Sequence, residues 1–264
     1  MKKGYIYILL IFISVFTACK KDEVEPSNNF SLKVNIDNVY GEQELVLDSM
    51  IYSNQFEQSF KVKKFNYFIS NIVLVNENNE DYVVPQDESY FLIKEIDKPS
   101  HQFSINNLPL GTYTKIKFLI GVDSLRNTKS IAERIGVLDV GAYAADMYWT
   151  WNQGYIFLKL ELHQSKPKGD TTNAIPYVYH IGGFGGMNTP TVNNLRTVEL
   201  DLTNKIVGVK NSSSNLYLKV DAEKVIRGNY EVDLDRYPTV MLTPFSKNIA
   251  DNYKNMFSVI TVAN

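Results

Sequence analysis

The sequence predicts a mostly β protein, an antiparallel β-sandwich with a few short helices. Segments in which apolar and polar residues alternate recur along the chain, which is the pattern of strands with one buried face. Clusters of Gly, Asn and Asp separate these segments, as turns between strands require. Roughly eight or more strand patterns can be counted, and that number favours a β-sandwich.

The first eighteen residues have the organisation of a lipoprotein signal peptide. A positively charged start precedes an apolar run, residues 5–15, that is too short to span a bilayer comfortably. Small residues at Thr17 and Ala18 precede Cys19, the only cysteine of the chain. We therefore expect removal of residues 1–18 and lipidation of the Cys19 thiol, with an ordinary secretory signal as the alternative.

Residues 19–29 are polar, contain a proline and predict a flexible tether behind the lipidated cysteine. The formal net charge of −2 becomes more negative once the two lysines of the signal peptide are removed. No basic stripe appears, so the composition disfavours a nucleic-acid partner. We expect an outer membrane lipoprotein, and the sequence leaves open whether it faces the periplasm or the cell surface.

No proline- or glycine-rich linker divides residues 30–264, so we expect a single domain there. The main strand patterns lie at residues 30–36, 65–75, 113–120, 155–162, 195–202 and 216–222. In the pattern 155–162 the even positions, from Ile156 to Leu162, predict a core face. The odd positions change from aromatic to charged, so the start of this strand should be its drier end.

Two segments predict helix. Residues 124–135 are expected to form a helical insertion. Near the end of the chain, Ile249, Tyr253, Phe257 and Ile260 follow one another at helical spacing, which predicts a C-terminal amphipathic helix packed on the sandwich.

Both tryptophans fall in one tripeptide, Trp149-Thr150-Trp151, between Met147 and the clearest strand of the sequence. Residues two apart on a strand share a face, so the two indoles should lie together. Such a cluster is either a wedge of the core or a soft, oxidisable site.

The surrounding motifs resemble the MbnP-like family of bacterial copper-binding lipoproteins. The resemblance extends over roughly residues 30–240 and rests on four motifs: Gly121-Val122-Asp123-Ser124, Leu138-Asp139, the segment 147–161, and Tyr179-His180-Ile181-Gly182-Gly183. It implies a non-enzymatic copper protein in which one tryptophan is oxidised to kynurenine. In such proteins the amine of kynurenine joins two histidines around copper. The resemblance also implies a partner, a di-haem enzyme similar to bacterial cytochrome c peroxidase and MauG.

Copper(I) accepts a low coordination number and prefers soft donors, such as imidazole and thioether. The candidate site residues are His180, Met147, Trp149 and Trp151, with Trp149 favoured over Trp151 for modification. His180 lies among aromatic residues and should be half-buried with a hydrogen-bond partner, so a core histidine remains the alternative.

The other two histidines, His101 and His163, are expected to be solvated, and neither falls in a motif that matches the family. A second copper histidine therefore cannot be assigned from the sequence.

The sequence does not contain the catalytic motifs that we searched for. No Gly-x-Ser-x-Gly or His-Glu-x-x-His occurs, and no Cys-x-x-Cys-His could hold a haem. The glycine run at residues 182–186 lacks the lysine and hydroxyl of a phosphate loop, and predicts a bulge or tight turn where backbone approaches closely.

Two further interpretations of the tryptophans stay open at this point. The pair could be a structural plug at one end of the sandwich, with the fold kept and copper lost. It could also be a surface platform that stacks on sugar rings, as in a glycan-binding lipoprotein.

Overall fold

The computed structural model describes residues 28–150, 154–166, 173–187 and 189–264 of the 264-residue chain. In chain order the strands are β1 Asn29–Tyr40, β2 Gln43–Glu44, β3 Tyr52–Ser53, β4 Ser59–Asn76, β5 Asp81–Val83, β6 Tyr90–Lys94, β7 Gln102–Pro109, β8 Gly111–Ile120, β9 Tyr148–Trp149, β10 Gly154–Gln164, β11 Pro176–Gly182, β12 Arg196–Gly208, β13 Ser213–Asp221, β14 Thr239–Val240 and β15 Phe257–Ala263. The α-helices are α1 Ser124–Asn127, α2 Glu223–Ile226 and α3 Ser246–Tyr253. Short 3-10 helices lie at Gln86–Glu88, Lys98–His101, Ile131–Glu133, Gly136–Leu138 and Ala145–Met147. In the parts of the chain just given, no helix is long and apolar enough to cross a bilayer.

The strands form two sheets. The first has the order β15-β13-β1-β2, and β7 also pairs with β1. The second has the order β12-β8-β4-β10-β11-β14, with β3, β5 and β6 also on β4 and β9 on β10. Most pairs are antiparallel, but β1 with β13 and β11 with β14 are parallel. The fold is therefore mostly β and sandwich-like, as predicted, and its sheets are mixed.

The main core lies between the two sheets. Alternate residues of β1, such as Leu32 and Val34, share this core with Leu158, Leu160 and Leu162 of β10. Each of these side chains is fully buried, and burial of a residue of this size stabilises by about 1.5–3 kcal/mol. The even face of β10 is thus the core face, as predicted, from Leu158 onward.

A second apolar cluster covers the opposite face of the second sheet. Tyr155 and Phe157 lie on that face and are fully buried, because the segment 121–149 folds over them. We call residues 121–149 the covering segment. Ile156 was predicted for the main core but belongs to this second cluster, since a bulge between Ile156 and Leu158 shifts the pairing of β10 with β11. The cluster consists of Phe68, Tyr90, Leu92, Val122, Leu138, Ala144, Met147, Trp149, Tyr155, Ile156 and Phe157.

The predicted helical insertion is helical only in part. α1 begins behind Asp123, whose side chain accepts a hydrogen bond from the backbone N–H of Arg126. A short 3-10 helix follows at Ile131–Glu133 and begins with a capping box at Ser130. The insertion is therefore a chain of short capped turns.

The prediction of one C-terminal helix running to Ile260 was wrong. Helix α3 ends at Tyr253, and the chain then forms β15, which pairs antiparallel with β13. The run Val259 to Val262 is β-branched, and β13 offers it a strand to pair with. The helical spacing combined buried residues of two neighbouring elements, Ile249 and Tyr253 of α3 and Phe257 of β15, with Ile260, which is exposed.

A matched pair of substitutions tests this correction. Phe257 is 6% exposed and packs edge-on against Phe118, whereas Ile260 is 53% exposed. Phe257→Ala should therefore lower the free energy of unfolding by about 3–5 kcal/mol. Ile260→Ala should change it by no more than about 0.5 kcal/mol. Urea denaturation measures both, and equal losses would support a helix that buries both residues.

Candidate functional site

The candidate site lies on the outer face of the second sheet, where β11 pairs with β10. His180 of β11 lies directly opposite Lys159 of β10 and diagonal to Glu161. The Nε2 atom of His180 is 2.8 Å from Oε1 of Glu161, and the His180 side chain is 15% exposed. The prediction of a half-buried, partnered histidine is confirmed, and the partner is a carboxylate rather than a backbone group.

The environment of His180 keeps its imidazole neutral. Burial lowers the pKa of His180 below its ordinary value, and the positive charge of Lys159 acts in the same direction. The hydrogen bond to Glu161 opposes this shift without outweighing it. Because a carboxylate only accepts, the neutral ring carries its proton on Nε2 and keeps a lone pair on Nδ1.

Trp149 packs against β11, the strand that carries His180. Strand β9 pairs with the start of β10, Trp149 opposite Gly154, and the indole is 5% exposed. Its six-membered ring lies against Gly182, where an added Cβ would be 2.7 Å from Cζ3 of Trp149. Gly182 and His180 are two apart on β11 and share a face, so the indole and the imidazole occupy neighbouring positions.

Met147 ends the 3-10 helix Ala145–Met147 and is fully buried in the same cluster as Trp149. Its thioether is therefore held in apolar surroundings close to the tryptophan. Trp151 and Cys19, the other predicted site residues, lie outside the described residues.

The remaining histidines lie away from His180. His163 is exposed, as predicted, and its partner on β11 is Pro176, which places it about 13 Å along the strands from the level of His180. His101 was predicted to be solvated, and this was wrong. Its side chain is 13% exposed, with Nε2 3.2 Å from the carbonyl oxygen of Lys94 and 3.4 Å from Glu95 Oε2. The 3-10 helix Lys98–His101 folds back on β6 and buries the ring.

Strands β4 and β10 lie between β6, where His101 packs, and β11, where His180 lies. Within the described ranges no three His, Cys, Asp or Glu side chains come together as a metal-holding group. His180 is therefore a single imidazole, with the charged side chains of Glu161 and Lys159 beside it.

Sequence reasoning missed the charged residues that surround His180. Glu161 is its hydrogen-bond partner, and Lys159 is only 6% exposed. The Lys159 ammonium donates a hydrogen bond to the backbone oxygen of Asp146 in the covering segment. The change from aromatic to charged residues along the odd face of β10 was visible in the sequence. The burial of Lys159 and Glu161 could not be predicted from this pattern, because it depends on the covering segment, which is another part of the chain.

The glycine run forms the tight turn that the sequence predicts. Gly183, Gly185 and Gly186 have positive φ angles between 91° and 102°, which favour glycine. At Gly182 the reason is space, because an added Cβ would also lie 2.4 Å from the backbone oxygen of Tyr155. This close approach allows β11 to end beneath the indole.

The fold and the site define a class of protein: a mixed β-sandwich in which a tryptophan-bearing insertion packs on the outer face of a sheet, against the strand that carries a half-buried histidine. The MbnP family model matches residues 29–242, so the chain belongs to the MbnP family. The resemblance found in the sequence motifs is thereby confirmed.

The structure is similar to that of MbnP from Methylosinus trichosporium, with a TM-score of 0.54. The match covers 88% of this chain and 98% of that chain at 14% sequence identity, so it bears on the fold alone. No protein of curated function matches the sequence.

A substitution at Gly182 tests the position of Trp149. Gly182→Ala would push a methyl group into the indole and the Tyr155 carbonyl, so we expect a loss of about 1–3 kcal/mol in stability and an altered tryptophan emission spectrum. Gly141→Ala is the control, because its nearest neighbour would be a side-chain atom 3.3 Å away. Thermal unfolding and fluorescence report both effects, and an unchanged spectrum in Gly182→Ala would contradict the packing of Trp149 on this strand.

Proposed function

We propose that this protein is a lipid-anchored, non-enzymatic copper-binding protein of the MbnP type. Membership of the family supports copper as the ligand. The observation that carries the proposal is the neighbouring placement of His180, held by Glu161, and Trp149 on Gly182. These groups would give a metal one imidazole and, after oxidation of the tryptophan, one aromatic amine.

The residues fit copper(I) better than a hard cation. Copper(I) accepts few ligands and prefers imidazole, thioether and amine donors, which His180 and Met147 offer. Histidines that bind metals usually donate their other ring N–H to a carboxylate, which fixes the tautomer. The bond from His180 Nε2 to Glu161 is of this kind and leaves Nδ1 for the metal. Calcium or magnesium would need several oxygen ligands, and no such group occurs among the described residues.

The proposal includes oxidation of Trp149, or of Trp151, to kynurenine. The indole N–H only donates, whereas opening the ring frees an aryl amine with a lone pair. With water as the source of oxygen, the conversion releases one ring carbon as formic acid, together with four protons and four electrons. The electrons would be withdrawn by a di-haem partner enzyme similar to bacterial cytochrome c peroxidase and MauG, since the chain has no haem-attachment motif of its own. In the proposed site this amine would be one of the copper ligands, as the kynurenine amine is in the family.

The glycan-binding alternative finds less support. A platform that stacks on sugars needs an accessible ring face, and Trp149 is only 5% exposed within the second apolar cluster. A buried imidazole with a carboxylate partner also has no role in such a platform.

The anchor and the location are part of the proposal. Cys19 would carry the lipid at the outer membrane, and residues 19–29 would tether the sandwich to it. This arrangement suits a protein that faces either the periplasm or the cell surface.

Mass spectrometry and copper content test the oxidation directly. In protein purified from its native host, the peptide holding both tryptophans should have exchanged one carbon for one oxygen, and copper should copurify. Trp149→Phe should abolish the exchange, and Trp151→Phe should leave it intact. Two unmodified tryptophans without bound copper would contradict the function, whereas loss of the exchange only in Trp151→Phe would move the modification to Trp151.

Substitution of single histidines tests the ligand. His180→Ala should lower the affinity for copper(I) by more than the roughly tenfold to hundredfold that loss of a ligand-orienting residue costs, because the imidazole itself is lost. His163→Ala is the matched control, since that histidine is exposed and distant, and it should bind as the unchanged protein does. Glu161→Gln should give a smaller loss, because an amide orients the ring less firmly. Competition with a copper(I) chelator measures the three affinities, and unchanged binding in His180→Ala would exclude His180 as the ligand.

A further inference from the structure

Three lysines from three neighbouring strands converge on one residue of the covering segment, Asp146. Lys94 of β6 places Nζ 3.1 Å from its Oδ1, and Lys64 of β4 places Nζ 3.4 Å from its Oδ2. Asn66, also on β4, donates to the same Oδ2 over 3.3 Å. Lys159 of β10 donates to the backbone oxygen of Asp146. Four side chains of the sheet thus bind one residue, which immediately precedes Met147.

A second contact holds the same segment three residues earlier. Lys94 Nζ also donates to the backbone oxygen of Tyr143 over 2.6 Å and lies 4.4 Å above the centre of the Tyr143 ring. The hydroxyl of Tyr143 donates to Asp97 over 2.6 Å. The segment is therefore held at Tyr143 and at Asp146, directly before the residues that carry the site.

The strand that carries Trp149 is short. In the described part of the chain, β9 is two residues long and pairs with Gly154 and Tyr155 of β10. Three peptide units separate Asp146 from Trp149, which limits their Cα atoms to about 10–11 Å. The backbone connection between Asp146 and Trp149 is therefore short.

The charges explain why this contact requires a carboxylate. Lys64, Lys94 and Lys159 repel one another, and Lys159 is 6% exposed, so its ammonium has lost most of its water. A buried cation without a compensating charge is strongly destabilising. The single negative charge of Asp146 lies where it compensates all three ammonium groups.

We infer that Asp146 is a positioning residue, which fixes Trp149 against Gly182 beside His180 by binding the three lysines of the sheet. Its effect on the packing of Trp149 is inferred from the contacts of Asp146 with the three lysines. Its consequence for copper rests on the proposed function.

Fluorescence quenching of Trp149 tests the inference in full-length mature protein that is unmodified and free of metal. Trp151→Phe provides the background, because it leaves Trp149 as the only tryptophan. Asp146→Asn keeps the size of the side chain but removes its charge, and we expect acrylamide quenching to rise roughly threefold as the segment loosens. Asp146→Glu should restore most of the protection.

Asp139→Asn is the matched control. Asp139 lies in the same covering segment and accepts a hydrogen bond from Gly141 N, but no contact of its side chain with a lysine occurs in the described structure. This control should leave quenching unchanged. Lys64→Met, which removes only the longest of the lysine contacts to the carboxylate, should give a smaller increase and serves as the second variant if Asp146→Asn does not fold.

The quenching of these variants either supports or overturns the positioning role of Asp146. Increased quenching in Asp146→Asn, restored in Asp146→Glu and absent in Asp139→Asn, supports it whether or not the protein binds copper. Quenching that is unchanged in Asp146→Asn, or equally raised in Asp139→Asn, overturns it. Copper(I) affinity is then measured on the same variants, so failure of the copper function is seen separately from failure of the positioning role.

Discussion

The arrangement of this protein depends on one strand, β10, being buried on both faces. Its even face fills the space between the sheets, while Tyr155 and Phe157 on the other face would be exposed without a cover. The segment 121–149 supplies that cover and buries Met147 and Trp149 with them. The driving force is the burial of large apolar side chains, at about 1.5–3 kcal/mol each. The position of the candidate site follows from this packing, because Trp149 reaches β11 only as part of the cover.

The cover also removes water from polar groups, and each of them then needs a partner. His180 is hydrogen-bonded to Glu161, and Lys159 donates to the backbone oxygen of Asp146. Buried Arg134 donates to the carbonyl oxygens of Asn127 and Lys129. Burial favours the neutral form of the His180 imidazole, and it also lowers the pKa of Lys159, whose charged form the carboxylate of Asp146 favours. The apolar cluster and the polar contacts at its border therefore cannot be altered independently, and the chemistry of the site depends on both.

Sequence patterns succeeded where the deciding forces are local. The alternation in residues 155–162 and the turns beside it predict β10 closely, and aromatic neighbours predict the partial burial of His180. The partner Glu161 was missed because it is 19 residues away in sequence and meets His180 only through the register of β10 and β11. The C-terminal helix was wrong beyond Tyr253 because pairing with β13 overrides the local helical spacing. Long-range pairing, rather than propensity, decided each of these cases.

The burial of Trp149 bears on how the proposed oxidation would proceed. At 5% exposure the indole cannot be reached by a bulky oxidant in direct contact, so electrons would have to leave it through the protein to a partner docked outside. The buried surroundings of the indole would then shield the product from bulk water. Among the described residues one imidazole lies at this place, so the proposed site would need a further donor besides the tryptophan product, from Met147 or another side chain. An unmodified chain would keep the fold but would lack the amine donor.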